Sequence, residues 1–262
     1  MERTFWQWIA LLLKDFGALY LRGTLVTVEL AVIGTLIGFV IGMLIGIVRA
    51  IPIRRGGESG FSFRTVFLKI VNFILSAYVE IFRGTPMMVQ AVLIYYGLTE
   101  AYNIFIPAIA AGIIVISLNT GAYMAEVVRG GIHSVPLGQS EAAKALGMTH
   151  WKTMFHVVLP QAVRNILPGT ANEFIANIKD SSVLNVITVG ELFRANRAVQ
   201  GIHYRVYESY FITAVIYLTL TFTFSRLLRL LEKRLDGPEN FSLTSTVTLN
   251  PLQRHGGGNP GA

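Results

Sequence analysis

The chain is 262 residues long, 53% hydrophobic and only 14% charged, with a formal net charge of +7. An average soluble domain carries about 25% charged residues, so this composition points to lipid around most of the fold. There is no cysteine, which excludes disulfides, thiol catalysis and cysteine-ligated metal.

In chain order, the first stretch, MERTFWQWIALLLKDFGALY, has an acidic Glu2 and a short apolar patch, without a secretory n-region or a small-residue cleavage site. It is expected to be retained as an interfacial helix, with Trp6, Trp8 and Tyr20 at headgroup depth. A helix needs about 20 apolar residues to cross a bilayer. By that measure 25–48 is a first span, carrying one acid, Glu29. Its Gly34, Gly38, Gly42 and Gly46 recur every four residues, a smooth strip that lets another backbone come close. That strip fits ordinary packing as well as an interface in a moving bundle.

The stretch 66–98 is long but interrupted by EIFRGTP, Glu80 to Pro86. Proline removes a backbone donor and disfavours helix just before it, and 87–98 is too short to span alone. The whole stretch is expected to be one kinked crossing. Further spans are expected at 104–128, 166–189 and 207–231, giving five. The tail, 241–262, is rich in Gly, Pro, Ser, Thr and Asn and is expected to be a flexible cytoplasmic extension.

Charge placement orients these spans. Five crossings put the basic loop after the first span, the segment 129–164 and the C-terminal stretch on one side, with fourteen Lys and Arg against six opposite. Lys and Arg gather on the cytoplasmic side, which places the N-terminus outside and the C-terminus inside. A sixth crossing would move the basic loop outward. The basic charge thus reports orientation rather than a nucleic-acid surface.

Ionisable groups inside a span are costly and usually face a cavity or a partner. Glu173, Asn177 and Asp180 fall at i, i+4 and i+7 of one helix, a line of acceptors suited to a polar, even cationic, solute. An internal hydrogen-bond network is the competing reading. Asn119, Tyr123 and Glu126 repeat the spacing one span earlier. Asn119 and Tyr123 are candidates to line the same path, whereas Glu126 is set to pair with Arg129 three residues on. No catalytic or metal site emerges: G-x-x-x-x-G-K-[ST], H-E-x-x-H and G-x-S-x-G are all missing, and the five histidines are scattered.

The segment SEAAKALGMTHWKTMFHVVLP, 140–160, differs from everything around it. Ser140 can cap a short helix through Leu146, and Gly147 can end it in a left-handed conformation. Thr149 can start a second helix anchored by Trp151, Met154 and Phe155, with Pro160 at the start of the next span. A short helix offered on the cytoplasmic side can fit a groove in a soluble partner.

This segment resembles the EAA loop of ATP-binding-cassette importer permeases. Glu141, Ala142, Ala143, Gly147, Leu159 and Pro160 fit the spacing of that motif, with Val157 in place of its isoleucine. YVEIFRGTPMMVQ, GAYMAEVVRGGI, LPQAVRNILP and NEFIANIKDSSVLNVI resemble the polar amino acid branch of the same permeases, so the likeness runs from about Gly23 to Leu235. It implies an all-α, type I importer transmembrane domain of five helices over 1–240, with a coupling loop at 133–160, in a bacterial inner membrane. It implies that the chain binds no cofactor and that partner ATPase subunits use the ATP. Those ATPases would be engaged through Glu141, Ala142, Ala143 and Gly147. The other implied partners are a second permease, identical or homologous, and a solute-binding protein that delivers a polar amino acid. An ATP-independent pore or facilitator is the alternative.

Overall fold

The computed structural model describes residues 3–51 and 63–236, and every regular element within them is helical. The basic stretch 52–62 and the tail 241–262 lie outside the described residues.

Helix α1 runs unbroken from Phe5 to Arg49, 45 residues or about 67 Å at 1.5 Å per residue. The expected separate interfacial helix is therefore the first part of α1. Nothing in 5–24 breaks helix, and tertiary packing holds it: Leu12 and Tyr20 are buried against Leu192, Val199 and Ile212. Tyr20 is thus a core residue, while Trp6 is exposed. Trp8 lies beneath the guanidinium groups of Arg3 and Arg205, 5.0 and 4.3 Å from its ring centroid.

The glycine strip of α1 is pressed onto α4 (Ala108–His133). A Cβ at Gly34 would lie 2.4 Å from Ile116, at Gly38 2.6 Å from Thr120, at Gly42 2.3 Å from Met124 and at Gly46 2.7 Å from Val128. Both helices advance four residues per contact in the same sense, so α1 and α4 are parallel. The chain leaves α1 at the end where α4 finishes and must return to the other end before α4 begins.

That return is made by α2 (Phe63–Gly84) and α3 (Met87–Tyr102). They are joined at Thr85 and Pro86, beside the middle of α4. There the Asn119 side-chain amide donates to the Phe82 carbonyl at 3.2 Å, and Tyr78 donates to the Leu118 carbonyl at 2.6 Å. The expected kink is thus a full break, because Pro86 supplies no N–H to continue the ladder. Gln90 repairs it by donating to the carbonyls of Phe82 (2.8 Å) and Thr85 (3.0 Å). Beyond the break, Ala91 joins Leu30, Val115 and Leu184 in a buried cluster.

Helix α7 (Leu159–Asp180) runs antiparallel to α4. A Cβ at Gly131 would meet Ile166, and one at Gly169 would meet Val127. Thr120 bonds Asn177 further along. A 3-10 segment (Ser181–Ile187) and α8 (Leu192–His203) lead to α9 (Val206–Asp236). Phe5 meets Tyr207 and Phe211 there, so α9 starts beside the start of α1 and runs parallel to it. Among the described residues, four helices are long and apolar enough to cross a membrane: α1, α2, α4 and α9. Helix α7, with Arg164, Asn165, Asn172, Glu173, Asn177, Lys179 and Asp180, is too polar to meet that measure.

Candidate coupling surface and solute path

The segment joining α4 to α7 holds α5 (Leu137–Ala145), α6 (His150–Thr153) and a wide π turn (Met154–Val158). Pro136, not Ser140, caps α5, so the helix starts earlier than the cap signal implied. Ser140 instead donates to the Leu137 carbonyl at 2.9 Å. Gly147 closes α5 at φ +77°, with its N–H on the Lys144 carbonyl at 2.9 Å and that of Met148 on Ala143 at 3.1 Å. Only glycine takes that left-handed turn without strain.

Thr149 starts α6, accepting from the Lys152 N–H at 3.4 Å. Of the three expected anchors, Met154 packs on the bundle, beside Val128, Ile132, Val158 and Ile166. Trp151 and Phe155 are 68% and 57% exposed and stack on each other. Thr153 and Val158 turn inward instead, so the inward face runs through Thr153, Met154, Val157 and Val158, and Trp151 and Phe155 fall on the opposite one. Pro160 sits in the first turn of α7, where a missing N–H breaks no bond.

The outcome is a short helix tethered by one face. Ala143 is buried, while Glu141, Ala142, Lys144, Ala145 and Gly147 are exposed. Leu137 and Leu146 are 78% and 84% exposed. Apolar side chains on an otherwise polar projection mark a contact surface. The bundle end behind α5 is fastened by Glu126, which accepts from Arg129 at 2.7 Å and is also paired with Arg49 at the end of α1. The helical spacing named Arg129. Arg49 is 77 residues away in sequence and gave no such signal.

The proposed path residues fall into two groups. Asn177 is 3% exposed and belongs to the interior. Its amide donates to Thr35 at 2.8 Å and Thr120 at 2.9 Å, joining α1, α4 and α7. At 100° per residue Asn177 lies about 40° from Glu173 toward that seam, and Asp180 about 20° to the other side. Asn177 therefore does not line a path; the internal network read as the alternative is where it sits. Asn119 likewise serves the α2–α3 break, donating also to Gln90 at 3.1 Å. Tyr123 stays 37% exposed, Asp180 is exposed and Glu173 partly so. The structure adds a residue that sequence reasoning passed over: the Arg83 guanidinium lies 5.3 Å from the Tyr123 ring centroid, and the pairing of Gly169 with Val127 and of Asn177 with Thr120 sets Glu173 at the same level of α4. EIFRGTP was read for its proline, and its arginine fell inside the kink.

A second omission is Glu191, fully buried. It caps α8 by accepting from the N–H groups of Phe193 and Arg194, both at 2.7 Å, and from the Tyr217 hydroxyl at 3.1 Å. An acid two residues beyond the expected span end, just before a helix, was the available signal.

Comparison with known proteins agrees with this geometry. A family model described as the binding-protein-dependent transport system inner membrane component matches residues 59–237. The chain belongs to that family. The glutamine transport system permease protein GlnP of Escherichia coli (strain K12) is 39% identical over 178 residues, 68% of this chain and 81% of that protein. The L-cystine transport system permease protein TcyB of Bacillus subtilis (strain 168) is 41% identical over 167 residues, 63% and 71% of the two chains. A solved amino acid ABC transporter crystallised with histidines superposes with a TM-score of 0.76 at 38% identity, covering 89% of this permease and all of that chain. The permease is thus an all-helical inner membrane component with the type I importer fold.

Proposed function

We propose that this permease is the transmembrane subunit of an ATP-driven importer of polar amino acids, basic ones or glutamine among them. A solute-binding protein delivers the substrate from outside, and ATPase subunits, which use the ATP, drive transport from the cytoplasm. The α5 surface carries this reading. A short helix with one buried residue, Ala143, and exposed Glu141, Ala142 and Leu146 suits insertion into a groove of a soluble partner. Its flanks run straight into α4 and α7, so movement of α5 is passed to two central helices. Five crossings, α1, α2 with α3, α4, α7 and α9, with the N-terminus outside, fit the parallel and antiparallel packing and put α5 on the Lys/Arg-rich side. A second permease, identical or homologous, covers the polar side of α7, because such groups are costly against lipid.

Glu173, Asp180 and Tyr123 line the path in this reading. Glu173 supplies negative charge for the ammonium or cationic side chain of the substrate. The experiment is reconstitution with the ATPase subunits and the binding protein in proteoliposomes. Binding-protein-stimulated ATP hydrolysis and amino acid accumulation are expected. Glu173→Gln should alter the preference among L-glutamine, L-arginine and L-histidine while the ATPase subunits stay bound. An unchanged preference rejects the role of Glu173, and accumulation without ATPase subunits favours an ATP-independent facilitator.

A further inference from the structure

Behind α5 lies a cavity of about 530 Å³. It is enclosed by the last residues of α1 and α4, by α5 itself and by the π turn. Leu137, Ser140 and Lys144 reach it from α5 at i, i+3 and i+7, which is one helical face, and that face turns away from Ala142 and Leu146. The cavity is therefore separate from the surface that α5 offers to a soluble partner, although the same helix bounds it.

Two kinds of chemistry meet in its walls. Most of the lining is apolar, while Arg49, His133 and Lys144 bring N–H donors, and among the described residues no Asp or Glu lines it. Glu126 engages one terminal nitrogen of Arg49, and a guanidinium has further donors to offer. Thr153 supplies an independent observation. It lines the cavity and is only 3% exposed, yet its hydroxyl has no hydrogen-bond partner. A buried hydroxyl without a partner costs free energy, and an acceptor held in the cavity would remove that cost.

We infer that this cavity holds the phosphate headgroup of an anionic phospholipid from the cytoplasmic leaflet. A phosphate diester brings negative charge and acceptor oxygens for Lys144, Arg49 and Thr153, and its glycerol and upper acyl carbons suit the apolar lining. Place argues for a lipid over other anions. The cavity sits where α1 and α4 end, at the membrane boundary. Trp151 and Phe155 are exposed on the outward face of the same segment, as aromatic rings are at headgroup depth. Basic pockets between helices on the cytoplasmic side take such headgroups. Occupancy would brace α5 against the ends of α1 and α4, so that a pull on α5 is passed to the bundle rather than taken up as bending. This rests on placing α5 on the cytoplasmic side, and not on which solute is carried.

The test uses the purified complex of permease and ATPase subunits in a neutral detergent. The probes are dioleoylphosphatidylglycerol, dioleoylphosphatidylcholine and glycerol 3-phosphate. Retained lipid is counted by native mass spectrometry, and the melting temperature is read with each probe. Wild type should retain phosphatidylglycerol over phosphatidylcholine by roughly tenfold and be stabilised by it. Lys144→Gln should weaken that retention about fivefold, the scale of one cation at a lipid surface. Thr153→Val should weaken it about tenfold, the scale of a hydrogen bond to a charged group. Without lipid, Thr153→Val should melt no lower than wild type, since it removes an unpartnered hydroxyl, so a lost lipid response is not a lost fold. Unchanged retention in both variants, or equal retention of the two lipids in wild type, overturns the proposal. Equal stabilisation by glycerol 3-phosphate gives the cavity to a free phosphate and overturns the lipid. Retention by the permease alone but not by the complex gives the cavity to the docked ATPase and overturns it too. Binding-protein-stimulated ATP hydrolysis is read on the same preparation and fails separately: its absence counts against the importer reading and leaves the lipid result standing.

Discussion

The seam between α1 and α4 and the α5 projection are built on opposite terms. In the seam, four glycines bring two backbones together, and α4 has most of its apolar window buried. In α5, one alanine is buried and nearly everything else faces outward. The seam derives its rigidity from contact, leaving no surface to spare. The projection has surface to spare and depends on its flanks for position. An importer needs both: a bundle stiff enough to move as one body, and an attachment that a partner can grip. Rigid-body motion of packed helices about a central site is the general logic of such transporters.

Substitutions in the two regions should therefore separate stability from coupling. Gly42→Val should have the largest effect. Its Cβ would lie 2.3 Å from the Met124 Cβ and 2.8 Å from the Ala125 backbone nitrogen, and overpacking of this kind costs about 1–3 kcal/mol or more. A steep drop in the melting temperature of the detergent-solubilised protein is the expected readout. A near-normal value would show that the seam is looser than its geometry.

Glu126→Ala should come next. It leaves Arg49, only 16% exposed, without its acid, at a cost of about 1–3 kcal/mol. Arg129→Ala should cost less, since its side chain is 38% exposed and such pairs contribute about 0–1 kcal/mol. Comparing the two melting temperatures tests whether Arg49 or Arg129 is the main partner. Gly147→Ala forces a side chain into φ +77°, which costs about 1–2 kcal/mol but only within α5. Because α5 carries little of the core, the bundle should melt almost unchanged while ATPase binding weakens. Gly138→Ala, with open space around its Cβ, should alter stability by no more than about 0.5 kcal/mol.

The same contrast explains what could be read from the sequence. The glycine repeat announces a close contact because its spacing is local, and EAAKALG announces a short helix because its turn chemistry is local. The break at Pro86 was legible for the same reason. Partners distant in the chain were not. Arg49 on Glu126 and Arg83 over Tyr123 depend on how helices are arranged, and no spacing rule reaches across 77 or 40 residues. Asn177 shows the limit of helical spacing itself. The i, i+4, i+7 pattern puts three polar groups within about 60°, but a neighbouring helix divides that arc, and Asn177 falls on the buried side. Trp151 and Phe155 differ because apolar residue type alone does not say which face of so short a segment packs on the bundle; Thr153 and Val158 take that face.

The most direct measurement compares wild type with Leu146→Asp and Glu141→Lys, each reconstituted with ATPase subunits and binding protein. Both residues are exposed, so melting temperatures should match wild type. Binding-protein-stimulated ATP hydrolysis and amino acid accumulation should be lost together in the variants. Full ATP-driven accumulation with α5 so altered would contradict the claim that this helix links the partner to the bundle.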